Sequence, residues 1–194
     1  GRSPINDQNR ELLAGIEDLL HRKGPALPIY WGNRNWHPLL ADTLEKMRSD
    51  GVRRAATFVT SAFSSYSGCR QYLEDIERTR AAAGAGVPEL VKLRVYFNHP
   101  GFIEAMTARV DEAFRRLPPD RRAGARLIYT AHSIPVSMSA TSDYLLQLNE
   151  ACNLVSERLG RKFSEGFDTL VFQSRSGPPS VPWLEPDVLD TLRA

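Results

Sequence analysis

The 194-residue sequence has few cysteines, little excess charge of either sign and no long apolar run. Its two cysteines, Cys69 and Cys152, are too few for a disulfide framework, which favours a reducing compartment and predicts a cytoplasmic protein. With 25 basic and 23 acidic residues the net charge is +2, which is not the basic excess typical of nucleic-acid binding. No apolar run reaches the roughly 18 residues of a membrane-spanning helix, and no secretory signal opens the printed sequence. Contact with a membrane surface stays open.

What is present is a globular composition, 42% hydrophobic and 25% charged, in a chain long enough for one large or two small domains. The sequence begins at Gly1 rather than at methionine, and it ends inside a helical pattern, "PDVLDTLRA". We therefore expect a piece of a longer protein, cut at both ends.

Helical and strand patterns alternate along the chain. Amphipathic spacing and capping residues predict helices over 7–24, 38–51, 69–84, 100–118 and 144–160. Apolar, β-branched runs predict strands over 27–32, 53–63, 90–97, 125–133 and 167–174. This alternation predicts βαβ units, and so an α/β fold with parallel sheets flanked by helices. The polar segment 118–124 predicts a boundary between two lobes, 1–118 and 119–194.

Ligands of open parallel sheets bind beyond the carboxyl ends of the strands. The loops at these ends hold three of the four histidines, although loops also collect polar residues for other reasons. The predicted strand-end loops are 31–37, 60–68, 96–101, 131–135 and 173–183.

His132, in "LIYTAHSIP", follows an apolar strand directly. It is either a metal ligand or base held on a rigid element, or a histidine bonded to backbone at a strand end. No second ligand lies two or four residues away, so this is not a self-contained zinc motif. Any metal bound here would need another partner, such as a nitrogen-rich substrate.

The segment "WGNRNWHP" places Arg34 and Asn35 between two tryptophans. A guanidinium beside aromatic faces suits a flat anionic ligand. The alternative is a loop in which Trp36 packs into the core and Arg34 is solvated.

Two further segments have both a functional and a structural interpretation. In "SYSGCRQY", Cys69 near a helix start could have a lowered thiol pKa and bind metal, or it could be a small buried residue. In "QSRSGPPSVPW", Trp183 could form a pocket wall, or the loop could merely end a sheet. Cys152 lies among apolar residues within a helix, which indicates a structural role.

Taken jointly, "YTAHSIP", "GNRNWHP", "VFQSRSGPP" and "VPWLEPD" resemble segments of the ferrochelatases, in the same order and over nearly the whole chain. "YSGCRQY" together with "GNRNW" and "QSRSGPP" is closer to the actinobacterial type, which is understood to use coproporphyrin III. The resemblance implies two Rossmann-like lobes with a porphyrin cleft between them. It also implies a lyase of haem biosynthesis that inserts Fe²⁺ into coproporphyrin III or protoporphyrin IX and releases two protons.

The resemblance also implies roles for individual residues. His132 matches the iron-site histidine, Ser3 matches a serine that contacts a propionate, and Tyr72 matches a porphyrin-contacting tyrosine. Arg34 and Asn35 fall at a cleft-lining pair that varies within the family, and Trp36 or Trp183 would form an aromatic wall.

Other family features fall outside this chain. The first strand–loop–helix and the glutamate that faces the histidine would lie beyond its ends, so we expect the fragment alone to be inactive, and we expect a monomer. Some relatives carry a [2Fe-2S] cluster, for which Cys69 is a candidate ligand together with three cysteines beyond this chain. The alternative functions are a cobalt or nickel chelatase of the same fold and a non-catalytic porphyrin- or haem-binding module.

Overall fold

The computed structural model describes residues 4–65, 70–164, 168–178 and 180–193. Within these ranges none of the helices is long and apolar enough to cross a membrane. The helices are α1 (Ile5–Lys23), α2 (Leu40–Ser49), α3 (Gln71–Ala83), α4 (Pro100–Arg116), α5 (Pro119–Arg122), α6 (Val136–Ser139), α7 (Tyr144–Arg158) and α8 (Val188–Arg193). The strands are β1 (Arg54–Thr57), β2 (Glu89–Lys92), β3 (Ile128–His132) and β4 (Thr169–Gln173).

The chain groups into two compact units, residues 1–57 with 73–91 and residues 58–72 with 92–194. The first unit contains α1, α2, most of α3, and a two-stranded sheet of β1 and β2. Its buried side chains include Leu44, Met47 and Ile76. The division into lobes at residues 118 and 119 stays a prediction.

The second unit is built on β3 and β4, which pair in parallel from Ile128 with Thr169 to His132 with Gln173. One face of this pair packs on α7, so the helix is buried against the sheet. Neighbouring residues of α7 pack on α4 through a second apolar cluster. The main cluster contains Ala131, Ile134, Tyr144, Leu148, Cys152, Leu170 and Phe172. The predicted fold class, α/β with parallel sheets flanked by helices, is confirmed.

One predicted strand is wrong. Residues 25–32 carry no helix or strand. The carbonyl of Trp31 accepts a hydrogen bond from the Thr43 hydroxyl (2.9 Å) instead of from a neighbouring strand. The backbone then turns, since Asn33 donates its N–H to the Pro38 carbonyl (2.7 Å). Apolar composition alone does not make a strand where side-chain contacts satisfy the backbone.

A buried ion pair fixes the start of the β3–β4 pair. The Asp168 carboxylate, 1% exposed, accepts hydrogen bonds from Arg161 (2.7 and 2.6 Å), from the Leu127 N–H (3.2 Å) and from the Ser156 hydroxyl (3.2 Å). Burial tends to raise the pKa of Asp168, but the Arg161 guanidinium and the other donors outweigh it and hold that pKa below its usual range. The carboxylate is therefore ionised and joins α7 to both strands.

Candidate active site at the end of β3

The imidazole of His132 lies at the carboxyl end of β3 and is exposed, whereas Ala131 before it and Ser133 after it are buried. This alternation follows from the pleat of a strand, in which successive side chains point to opposite faces. Gln173 is the partner of His132 in the register and is also exposed. The structure therefore places the predicted histidine where a ligand could reach it.

The backbone around His132 is held from several directions. Ser133 is 2% exposed; it donates its N–H to the Gln173 carbonyl (2.7 Å) and its hydroxyl to the Leu184 carbonyl (2.9 Å). The Tyr144 hydroxyl donates to the His132 carbonyl (3.0 Å). Burial raises the pKa of Tyr144, which keeps this hydroxyl protonated as a donor. The main chain that carries the imidazole is therefore hydrogen-bonded at His132 and at Ser133.

A second segment, residues 182–184, lines the turn that follows His132. Val136 donates its N–H to the Pro182 carbonyl (3.0 Å), and Leu184 donates its N–H to the Ile134 carbonyl (3.0 Å). Pro135 and Trp183 pair in antiparallel fashion between these two bonds. The structure therefore places the backbone of Trp183 against the turn that directly follows His132.

Trp183 also packs on its own loop. A Cβ atom at Gly177 would lie 2.5 Å from Cζ2 and 2.7 Å from Nε1 of the indole, so only glycine fits beneath the ring. The Nε1 atom is buried and has no hydrogen-bond partner among the residues that the structure describes. The ring thus serves the packing of the 173–183 loop, and its contact with porphyrin stays a prediction.

Arg34 and Asn35 lie in the first unit. Arg34 is 23% exposed at its side chain and forms an ion pair with the buried carboxylate of Asp75, which also pairs with Arg78. Trp36 is 67% exposed. The alternative of a buried Trp36 beside a solvated Arg34 is therefore wrong in both respects. Asn35 is exposed, and the roles of Arg34 and Asn35 toward a porphyrin stay predictions.

The remaining predicted residues are placed as follows. Tyr72 is half-buried in the first turn of α3. Ser3 and Cys69 lie outside the described residues. Cys152 is buried in α7, and burial raises the pKa of its thiol to about 12, so its structural interpretation agrees with its surroundings. Among the described positions, no group of three or more His, Cys, Asp and Glu side chains could hold a metal ion.

Sequence reasoning missed the contribution of α7. Tyr144 holds the His132 carbonyl, yet the helix was predicted only as a cover for the sheet. A signal was present in "YLLQLNEACNLV", where Gln147 lies on the buried side and is 5% exposed. A buried amide needs hydrogen-bond partners, and those partners lie in the strand-end loops.

A comparison with protein families matches the ferrochelatase model over residues 1–194. This chain belongs to the ferrochelatase family. It is 51% identical to a coproporphyrin III ferrochelatase of Nocardia farcinica and 53% identical to one of Mycobacterium avium, over 99% and 100% of its length. It is also 51% identical to a ferrochelatase of Rhodopirellula baltica over 99% of its length. The matches cover 56%, 55% and 53% of these relatives, so the chain spans about half of their length.

Membership of the ferrochelatase family confirms the resemblance that the motifs carried. The matches give no support to the option of a [2Fe-2S] cluster. Cys152 does not fit such a cluster, because it is buried within α7 and burial opposes its ionisation to thiolate. With two cysteines in the chain, these residues do not make a four-thiolate site by themselves.

Proposed function

We propose that the protein containing this chain inserts Fe²⁺ into coproporphyrin III, with release of two protons, in haem biosynthesis. The observation that carries the proposal is the exposed imidazole of His132 on a backbone fixed by Ser133 and Tyr144. This histidine stands in the segment that matches the family's iron-site motif. The choice of coproporphyrin III rests on the names of the Nocardia and Mycobacterium relatives. Protoporphyrin IX is the second candidate.

The reaction exchanges two pyrrole protons for a metal ion. Fe²⁺ must lose water, and the flat macrocycle must bend, because its nitrogen lone pairs otherwise lie in the ring plane. The neutral imidazole of His132 has one lone pair, which either binds the metal or accepts a pyrrole proton. A base or metal ligand of this kind acts best when its backbone holds it in a fixed position. The hydrogen bonds on either side of His132 supply that rigidity.

Bending of the macrocycle needs binding energy from contacts remote from the metal. We assign these contacts to the residues that the family motifs match. Ser3 would bind a propionate, and Tyr72 and Trp183 would contact the ring. Arg34 and Asn35 would line the binding site, with Arg34 oriented by its ion pair with Asp75.

The test uses the full-length protein that contains this chain, under anaerobic conditions, with Fe²⁺ and either coproporphyrin III or protoporphyrin IX. The change in porphyrin absorbance measures metal insertion. We expect a higher kcat/KM for coproporphyrin III than for protoporphyrin IX. Residues 1–194 alone serve as a control and are expected to give no multiple turnovers.

Two results would contradict the proposal. Tight haem binding without insertion would indicate a non-catalytic porphyrin-binding module. Insertion of Co²⁺ or Ni²⁺ into a less oxidised tetrapyrrole, without Fe²⁺ insertion into either porphyrin, would indicate another chelatase of the same fold.

A further inference from the structure

Three polar side chains of α7, spaced three residues apart, each bond a different strand-end loop of the second unit. Tyr144 donates to the His132 carbonyl (3.0 Å), at the last residue of β3, where the loop after that strand begins. Gln147 bonds Ser64 in the segment after β1, and Glu150 accepts from the Asn98 amide (3.0 Å) in the segment after β2. A spacing of three residues makes an inclined ridge along a helix. We call Tyr144, Gln147 and Glu150 the α7 polar row.

The central contact of the α7 polar row, between Gln147 and Ser64, consists of two hydrogen bonds. Oε1 of Gln147 accepts the Ser64 N–H (2.7 Å), and Nε2 donates to the Ser64 hydroxyl (3.0 Å). The two residues are 83 positions apart in sequence, so the amide joins elements that no local pattern connects. Because both ends of the amide are used and Gln147 is 5% exposed, this bond fixes the loop in both position and orientation.

An aromatic contact supports the same arrangement. Phe63, next to Ser64, packs edge-to-face on Tyr144 (ring centroids 6.4 Å apart, 89° between planes) and on Phe102 (6.3 Å, 77°). It also lies 6.4 Å from the ring of Phe97, in the loop after β2. Phe63 therefore contacts Tyr144 of the α7 polar row and Phe97 in the loop after β2. Apolar packing thus joins the segments after β1 and β2 directly, and the hydrogen bond of Tyr144 adds the end of β3.

We propose that the α7 polar row holds the three strand-end loops as one rigid body, so that its members are positioning residues for porphyrin metallation. This inference rests on the proposed function, in which His132 must keep its place relative to the loops at 60–65 and 96–101. A displacement of about 1 Å in a positioning group can cost on the order of a hundredfold in rate. Loosening one loop is therefore expected to affect the other two.

The first experiment compares hydrogen–deuterium exchange of the full-length protein and three variants. Gln147→Met keeps the length of the side chain and removes both bonds to Ser64, and Tyr144→Phe removes only the bond to His132. The matched control is Ser156→Ala, because Ser156 is also buried on α7 but bonds Tyr129 (2.8 Å) and Asp168 at the other end of the helix.

Gln147→Met is expected to raise exchange not only in 60–65 but also in 96–101 and 132–136, since the three loops move as one body. Ser156→Ala is expected to leave these loops unchanged. Faster exchange confined to 60–65, or equal changes in the control variant, would overturn the inference. Thermal unfolding confirms that each variant is folded at the temperature of the measurement.

The second experiment is a double-mutant cycle on kcat/KM for coproporphyrin III. Each single variant, Tyr144→Phe and Gln147→Met, is expected to lose about ten- to a hundredfold, and Ser156→Ala less than about threefold. The double variant is expected to lose less than the product of the single losses, because both act through one rigid body. A double variant whose loss of kcat/KM equals the product of the single losses would show that the loops are held independently, and it would contradict the inference. If the wild type inserts no metal, the proposed function fails, whereas the exchange experiment still decides the role of the α7 polar row.

Discussion

Replacement of His132 by alanine is expected to separate activity from stability. The imidazole is exposed, and the bonds that fix this segment use the His132 carbonyl, the Ser133 hydroxyl and N–H, and the Tyr144 hydroxyl. None of these atoms belongs to the imidazole. An exposed substitution of this kind changes the free energy of unfolding by about 0.5 kcal/mol or less. The His132→Ala variant should therefore unfold at nearly the wild-type denaturant concentration.

The loss of activity is expected to be much larger. A positioned general base contributes about 10²- to 10⁴-fold to a rate, which corresponds to about 2.7–5.4 kcal/mol at 1.36 kcal/mol per tenfold. His132→Ala should lower kcat for iron insertion by at least about a hundredfold. Porphyrin should still bind, because its predicted contacts lie on other residues.

The assay measures anaerobic iron insertion into coproporphyrin III by absorbance, and porphyrin binding by fluorescence, on the full-length protein. His21→Ala is the matched control, because His21 is an exposed histidine in the last turn of α1. Turnover near the wild-type rate in His132→Ala would refute the assignment. A loss of stability in that variant would refute the argument that the surrounding backbone, and not the imidazole, holds the segment.

Three further predictions concern the frame around the site. Asp168→Asn breaks the buried pair with Arg161 and is expected to cost about 3–5 kcal/mol in urea unfolding; a loss under about 1 kcal/mol would contradict this. Because the folded pKa of Asp168 is lowered, its contribution is present above the unfolded pKa and lost as pH falls through the folded pKa, so only the wild type should show this acid-dependent loss. Gly177→Ala places a Cβ 2.5 Å from the Trp183 ring and is expected to cost about 1–3 kcal/mol, whereas an unchanged unfolding midpoint would show that the ring moves freely. Cys152, with its thiol pKa raised to about 12, should be alkylated at pH 8 only after unfolding, as read by peptide mass spectrometry, and rapid native labelling would contradict its burial.

The sequence pattern predicted element type better than element extent. Helix α4 was predicted over 100–118 and spans Pro100–Arg116, because a proline start and an amphipathic stripe are local signals. The second strand was predicted over 53–63, but β1 covers only Arg54–Thr57. A strand ends where its partner's hydrogen bonds end, and β2 is four residues long. Partner length is not encoded in the strand's own residues.

The same distinction applies to the site. The strand-end rule located His132, since it needs only the end of an apolar run and the direction of a parallel sheet. The contacts of Gln147 and Ser64 depend on the tertiary packing of α7, across 83 positions of sequence. Arg34 was predicted to bind a flat anion, and no local signal pointed to the buried carboxylate of Asp75 as its partner. Local sequence patterns do not predict long-range polar pairs of this kind.

At the end of β3, different residues set the strand register and carry the proposed chemistry. A shift of one residue in strand register would turn the imidazole of His132 into the core and Ser133 out of it. Ser133 opposes that shift, because its buried hydroxyl and N–H would lose the carbonyls of Leu184 and Gln173. Ser133, which sets the register, is therefore buried and hydrogen-bonded. The imidazole of His132, which is proposed to bind the metal or accept a proton, does not contribute to the register. It follows that chemistry at position 132 can change without a change of fold, whereas substitutions at Ser133 or Tyr144 alter the frame on which that chemistry depends.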